Sequence, residues 1–269
     1  MIKPGWFLLF ILSGVNLAES ANEHDVLVVG ENWNVATHQR QLKVKQGADV
    51  FIDSQIGNVA IRPSSNRMMA IEVSAQSPVE GADNFRLLID EADSGAITVR
   101  PVFEGGHSKP EAASLAHLQR ADIGLRIPAG CKVHVVTSGG DIDVEDLTDR
   151  VSVQTVDGNV RLIAKGSYSI ENSNGDSRIT MKRVEGPSSL STTHGTSTLY
   201  FPRDAAFRVA GASAGTVTTD FSIVIKKDRS TGLKRFEAVT DGEGPLLTLT
   251  SVRGNFSLRE LQAKEELQR

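Results

Sequence analysis

Gly211-Ala212-Ser213-Ala214-Gly215 spells Gly-x-Ser-x-Gly, the pattern with which hydrolases expose a nucleophilic serine on a strained turn between a strand and a helix. Thr216 to Thr219 and Phe221 to Ile225 read as strand, so the helix that such a turn requires is missing and Ser213 is expected to be a turn residue. Asp141, Asp143, Asp157 and Asp176 offer the oxygen ligands that calcium takes. Calcium-binding solenoid repeats have a nonapeptide period, about half the spacing present here. Asp143 beside Arg161 reads instead as a surface charge pair worth about 0 to 1 kcal/mol.

The histidines, His24, His38, His107, His117, His134 and His194, include no pair at metal-ligand spacing. His134 is expected to face outward from a strand and His194 to sit in a turn. Cys131 is the sole cysteine, which rules out an internal disulfide framework and a multi-cysteine zinc site. It shares parity with Val133 and Val135 and reads as a small buried hydrophobe. Asn255-Phe256-Ser257 is a glycosylation sequon, but it fills a copy of the repeat described below and is treated as incidental. Asp143, Arg161, Arg178 and Thr198 form the nearest approach to a catalytic column. It is mixed, with no carboxylate pair at equivalent positions on neighbouring coils of the kind two-carboxylate glycoside hydrolysis uses. No catalytic, cofactor-binding or metal-ligating residue is assigned, and no cofactor is expected.

The elements that must position these residues repeat. A strand, then Thr, Asn or Ser, two variable residues, Gly, often Asp or Asn, and a second strand recur from residue 133 onward. Copies lie at Thr137-Ser138-Gly139-Gly140-Asp141, Thr155-Val156-Asp157-Gly158-Asn159, Asn172-Ser173-Asn174-Gly175-Asp176 and Thr192-Thr193-His194-Gly195-Thr196. Later copies are Ala212-Ser213-Ala214-Gly215-Thr216 and Ser251-Val252-Arg253-Gly254-Asn255. The turn glycines Gly140, Gly158, Gly175, Gly195 and Gly215 are 18, 17, 20 and 20 residues apart, and Gly254 follows 39 later, close to two periods.

Five residues before each glycine stand Val135, Val153, Ile170, Leu190, Ala210 and Leu249. Two after it stand Ile142, Val160, Ser177, Ser197, Val217 and Phe256, and four after it Val144, Leu162, Ile179, Leu199, Thr219 and Leu258. Asp143, Arg161, Arg178, Thr198, Thr218 and Ser257 follow by three and point outward. An apolar column beside a polar one at this period predicts an all-β β-solenoid of stacked two-strand coils of 17 to 20 residues, eight to ten in number. Each glycine serves a tight bend at positive φ, and a core a few small aliphatics wide leaves little room for rings. A β-sandwich is the alternative fold.

The first half carries a looser version. Leu42 to Val44, Val50 to Ile52, Val59 to Ile61, Ala70 to Val73, Phe85 to Ile89 and Ile97 to Val102 read as strands, and Gly57 and Gly95 as repeat turns. Phe103 to Ala121, with the helix-capable Glu111 to Gln119, reads as an excursion, and Asp228 to Gly232 as a longer turn. Leu261, Ala263 and Leu267, with Glu260 and Lys264 at i,i+4, predict a short C-terminal helix able to cap the open end. Lys3, the apolar run Trp6 to Val15, and small Ala18 and Ser20 predict a signal peptide over residues 1–20, cleaved after Ser20. The run is too short for a membrane span, which needs about 20 residues. The expected organisation is a signal peptide at 1–20, a lead-in at 21–39, the solenoid at 40–258 and a helical tail at 259–269. A net charge of −4 argues against a nucleic-acid partner.

Leu125-Arg126-Ile127-Pro128-Ala129-Gly130, leading into Val133 to Val144 and the Thr155 to Leu162 copy, resembles the bacterial putative-adhesin family of unknown function, with its Leu-x-Val-Pro-x-Gly strand and repeated Ser/Thr-x-x-Gly-Asp strands. The similarity spans roughly residues 40 to 258. Ala212, where Thr or Asn is expected, and Arg208, on a mostly uncharged column, depart from the pattern. The resemblance implies an exported β-solenoid in the periplasm, at the cell surface or secreted. The expected role is a noncatalytic envelope or surface binding module, with a surface glycan or envelope protein as partner. The alternative is a carbohydrate-active β-solenoid enzyme, a polysaccharide lyase or hydrolase.

Overall fold

Apolar and polar side chains alternate through most of the chain, and a strand of period two buries one set while exposing the other. The computed structural model describes residues 24–29, 33–78, 85–103, 119–228, 232–240 and 244–262. Every regular element among them is a strand. The first eight are β1 His24–Val29, β2 Trp33–Lys43, β3 Asp49–Ile56, β4 Val59–Ser64, β5 Met68–Pro78, β6 Phe85–Glu91, β7 Ile97–Phe103 and β8 Arg120–Pro128. Then come β9 Lys132–Gly139, β10 Ile142–Leu147, β11 Val151–Asp157, β12 Val160–Ala164, β13 Tyr168–Asn174, β14 Ser177–Met181, β15 Ser188–Thr192 and β16 Thr196–Phe201. The last six are β17 Arg208–Ser213, β18 Val217–Thr219, β19 Ile223–Lys227, β20 Lys234–Val239, β21 Leu246–Ser251 and β22 Asn255–Glu260.

They form two open sheets of 11 strands. Sheet A runs β1-β2-β5-β8-β4-β10-β12-β14-β16-β22-β18, and sheet B runs β6-β7-β3-β9-β11-β13-β15-β21-β17-β20-β19. From β8 to β18 in one sheet, and from β7 to β17 in the other, the strands are parallel and the two orders match. Successive strands thus make eight layers, each with one strand in either sheet: β7/β8, β3/β4, β9/β10, β11/β12, β13/β14, β15/β16, β21/β22 and β17/β18. One apolar core lies between the sheets. It includes Val135, Val153, Ile170, Leu190 and Leu249 from B and Val144, Leu162, Ile179, Leu199 and Leu258 from A.

At the turns, Gly57, Gly140, Gly158, Gly175, Gly195, Gly254 and Gly215 stand above one another. Gly158 has φ 141°, and a Cβ there would fall on the carbonyl oxygen of Gly140. Close backbone approach therefore demands glycine along the column, and positive φ demands it as well at Gly57, Gly140, Gly158, Gly175 and Gly195, whereas Gly254 and Gly215, against expectation, are not at positive φ.

Stacking does not follow chain order. β21/β22 inserts between β15/β16 and β17/β18, so Gly254 lies on Gly195, and Gly215 lies on Gly254 at the outer end. β3/β4 likewise sits between β7/β8 and β9/β10. A 39-residue offset fits a skipped layer and an inserted one equally, and periodicity alone does not choose between them.

Four further expectations are corrected. Leu249 pairs with Gly211, not Ala210, and Ser251 pairs with Ser213, so Ser213 rather than Ala212 takes the Thr/Asn/Ser place in its layer. Gly211 leaves the space that the Phe236 ring fills from the next strand. Gly95 closes the antiparallel β6–β7 hairpin, with its N–H donating to Ala92 O at 2.8 Å, and is no layer turn. The core accepts rings, since Tyr168, Phe201, Phe207, Phe236 and Phe256 are fully buried. Phe256 stands beside Ser197, whose small side chain, like that of Ser177 beyond it, frees volume. Among the described residues the expected C-terminal helix is not found: Arg259 and Glu260 continue β22, where pairing with Tyr200 and Phe201 outweighs a local i,i+4 pair, and Leu261 and Gln262 are irregular. Residues 263–269, the signal-peptide segment and Glu111 to Leu118 of the excursion lie outside the described residues.

Candidate functional site

The outer face of sheet A gathers the polar column. Lateral pairing sets Asp143 beside Arg161, Arg161 beside Arg178, and Arg178 beside Thr198. Parallel strands lie about 4.8 Å apart, so side chains at one register position touch. Arg161 Nη1 donates to Asp143 Oδ1 at 2.7 Å and also to Glu145 Oε1. From the other side Arg62 Nη2 meets Asp143 Oδ2 at 2.7 Å, and Arg62 Nε meets Glu145 Oε2 at 3.2 Å. Partial burial opposes the charge on Arg161, yet its hydrogen bonds to Glu145 and Asp143 prevail and raise its pKa.

Two carboxylates are thus held between two guanidinium groups, which leaves neither as a free acid, base or nucleophile. Arg62, Glu145 and Tyr200 were not singled out by sequence reasoning. They follow Gly57, Gly140 and Gly195 by five residues, and that shared offset was the available signal. Arg178 lies over the Tyr200 ring, with Cζ 4.4 Å from its centroid. Beside this cluster an open groove of about 400 Å³ crosses four layers, lined by Asp143, Arg161, Arg178 and Thr198 with the turn residues Asp141, Asn159, Asp176 and Thr196.

Those turn residues have a structural task. The side-chain oxygens of Asn58, Asp141, Asn159 and Asp176 receive the backbone N–H of the next layer: Asn58 Oδ1 from Asp141 N at 2.9 Å, and Asp141 Oδ1 from Asn159 N at 2.9 Å. The ladder continues from Asp176 N to Asn159 Oδ1 at 3.0 Å and from Thr196 N to Asp176 Oδ1 at 2.7 Å. Asp157 Oδ1 accepts from Asn174 Nδ2 at 2.9 Å. The four aspartates are therefore divided between a backbone ladder, a side-chain bridge and the Arg62–Arg161 cluster. Among the described residues no group of three or more His, Cys, Asp or Glu could hold a metal ion.

Ser213 is wholly buried between strands, its Oγ donating to Gly254 O at 2.9 Å, so no substrate reaches it. Cys131 is buried, and burial pushes its thiol pKa up, away from the reactive thiolate. His134 stacks on Phe51 at 4.6 Å, with Nε2 3.2 Å from Asp49 Oδ1, on the far face of sheet B. His194 is exposed in its turn, His38 lies beside Phe85 at 4.8 Å, and His107 and His117 lie outside the described residues. The Asn255 amide oxygen accepts from Thr216 N and Oγ1, both at 2.8 Å. No helix among the described residues is long and apolar enough to cross a membrane.

Neither a family model nor a curated protein matches the chain. A putative cell adhesion protein from Clostridium sporogenes ATCC 15579 superimposes with a TM-score of 0.50 at 10% identity, over 83% of this chain and 99% of that one. A putative adhesin from Bacteroides fragilis NCTC 9343 gives 0.30 at 12% identity, over 84% and 97% of the two chains. Another, from Parabacteroides merdae ATCC 43184, gives 0.24 at 9% identity, over 84% and 96%. The chain is similar in fold to the clostridial protein.

Proposed function

We propose that the chain is an exported, noncatalytic binding module of the cell envelope or surface, built as a β-solenoid over about residues 40–258, which meets a surface glycan or an envelope protein through the outer face of sheet A. The observation that carries this reading is the groove across four layers, where Arg161, Arg178, Thr198 and turn residues form an extended polar strip on a rigid parallel sheet. Such a strip fits an elongated polar partner better than a small substrate, which favours an enclosed pocket. The engagement of Asp143 and Glu145 by Arg62 and Arg161 argues against glycoside hydrolysis, for which one carboxyl must be a proton donor and the other a base or nucleophile. The fold likeness to a protein named for cell adhesion supports a surface role.

The test is binding of the purified chain to immobilised envelope glycans and to intact producing cells, beside an Arg178→Ala, Thr198→Ala variant that still melts cooperatively. Retained binding by the variant, or release of reducing ends from any polysaccharide by the purified chain, contradicts the reading.

A further inference from the structure

Sheet B extends two strands beyond the last layer. β20 pairs antiparallel with β17, and β19 pairs with β20 and forms the sheet edge, whereas sheet A ends at the three-residue β18. Within this hairpin Lys226 stands directly opposite Arg235, and Lys227 opposite Lys234. Like charges in direct opposition disfavour a strand pair. Glu237 is the one acidic residue in the paired stretch, so four cations face one carboxylate in a chain whose net charge is −4. Lys234 Nζ donates to Gly215 O at 2.7 Å. Lys226, Lys227 and Arg235 make no ion pair with any described residue.

The same hairpin exposes aliphatic side chains. Val224 is 60%, Ile225 44% and Val239 63% exposed. Val224, Lys226, Arg235, Glu237 and Val239 share the outer face by strand parity, while Ile225, Lys227 and Lys234 lie on the inner side, where sheet A has no strand to cover β19. Cations interleaved with aliphatics on one projecting edge match the headgroup zone of an anionic bilayer, where phosphates neutralise the cations and the apolar side chains enter the acyl boundary. An acidic protein would satisfy the charges but leave Val224 and Val239 in contact with polar surface.

We propose that the β19–β20 hairpin docks the protein on an anionic lipid bilayer. This surface is separate from the groove on sheet A. The Lys226–Arg235 opposition on the outer face, costly in the free protein, becomes favourable when phosphate lies across it, and Lys227 reaches the same headgroup zone from the other side of the edge strand.

The test is sedimentation of the full chain with vesicles of phosphatidylcholine alone or mixed with phosphatidylglycerol. The quantity read is the ratio of the two affinities, compared between the parent and each variant so that the common contribution of residues 1–20, Lys3 included, cancels. Preference for the anionic vesicles that falls with added salt is expected. Lys226→Ser with Lys227→Ser should lower that preference about fivefold per cation removed while leaving the melting temperature unchanged or higher, because like-charge opposition is relieved. Lys226→Arg with Lys227→Arg should keep it, and Val224→Ser with Val239→Ser should weaken binding without changing the salt dependence. Equal affinity for both vesicle types, serine variants that bind like the parent, or tighter binding to soluble heparin than to vesicles would overturn the proposal.

Discussion

Gly158 and Gly47 have positive φ for different reasons. Nothing lies within 4 Å of a Cβ built on Gly47, whereas one on Gly158 overlaps the Gly140 carbonyl. Gly47→Ala should cost only the left-handed backbone strain, about 1 to 2 kcal/mol. Gly158→Ala should cost about 3 kcal/mol or more, because overpacking adds to that strain; urea titration of the two variants separates them. Tyr168 offers the opposite opportunity. Its hydroxyl is buried without a partner among the described residues, and burial raises its pKa. A raised folded pKa leaves stability whole below the ordinary tyrosine value of about 10 and drains it as pH rises further. Tyr168→Phe should therefore gain about 1 kcal/mol at neutral pH, and the gain should widen in urea titrations above pH about 10.

At the scale of elements, the last strand is held by side chains of the layer beyond it. Asp220 accepts from Arg259 Nη1 at 2.7 Å and from Glu260 N at 3.1 Å. Desolvation pushes its pKa up, but these hydrogen bonds and the Arg259 charge outweigh it, and the pKa is lowered. The contribution to stability is thus present above the unfolded carboxylate value of about 4 and is lost as pH falls through the lower folded value. Protection of the Glu260 amide against hydrogen exchange, normalised to the unfolded chain, should fall in that acid range. Asp220→Asn should be less protected at neutral pH and lack the acid step.

Strand register was largely legible from the residues. Lateral neighbours such as Val135 and Val153, or Arg161 and Arg178, sit at equal offsets from their glycines, and parallel pairing preserves those offsets. Arg62 was harder to place, because it meets Asp143 across 81 residues of sequence, and an offset names the position within a layer but not the layer beside it. Ala210 was placed in the apolar column instead of Gly211, whose missing side chain answers to Phe236 on β20.

For the whole molecule, the out-of-order layers make the C-terminal strands interior. β21 lies between β15 and β17, and β22 between β16 and β18. In an ordinary stack of repeats, an end unit contacts one neighbour and its loss leaves the rest folded. Deleting residues 246–269 here removes a layer with neighbours on both sides, so the product should lose cooperative unfolding and become protease-sensitive through 188–240.

Binding rather than catalysis is the role proposed for the outer face of sheet A. Its most direct test is the affinity of the purified chain for intact producing cells, measured for the parent and for Arg178→Ala with Thr198→Ala at matched melting temperature. Saturable binding that falls at least about tenfold in the variant, the equivalent of about 1.4 kcal/mol, is expected. Equal binding by both proteins would contradict it.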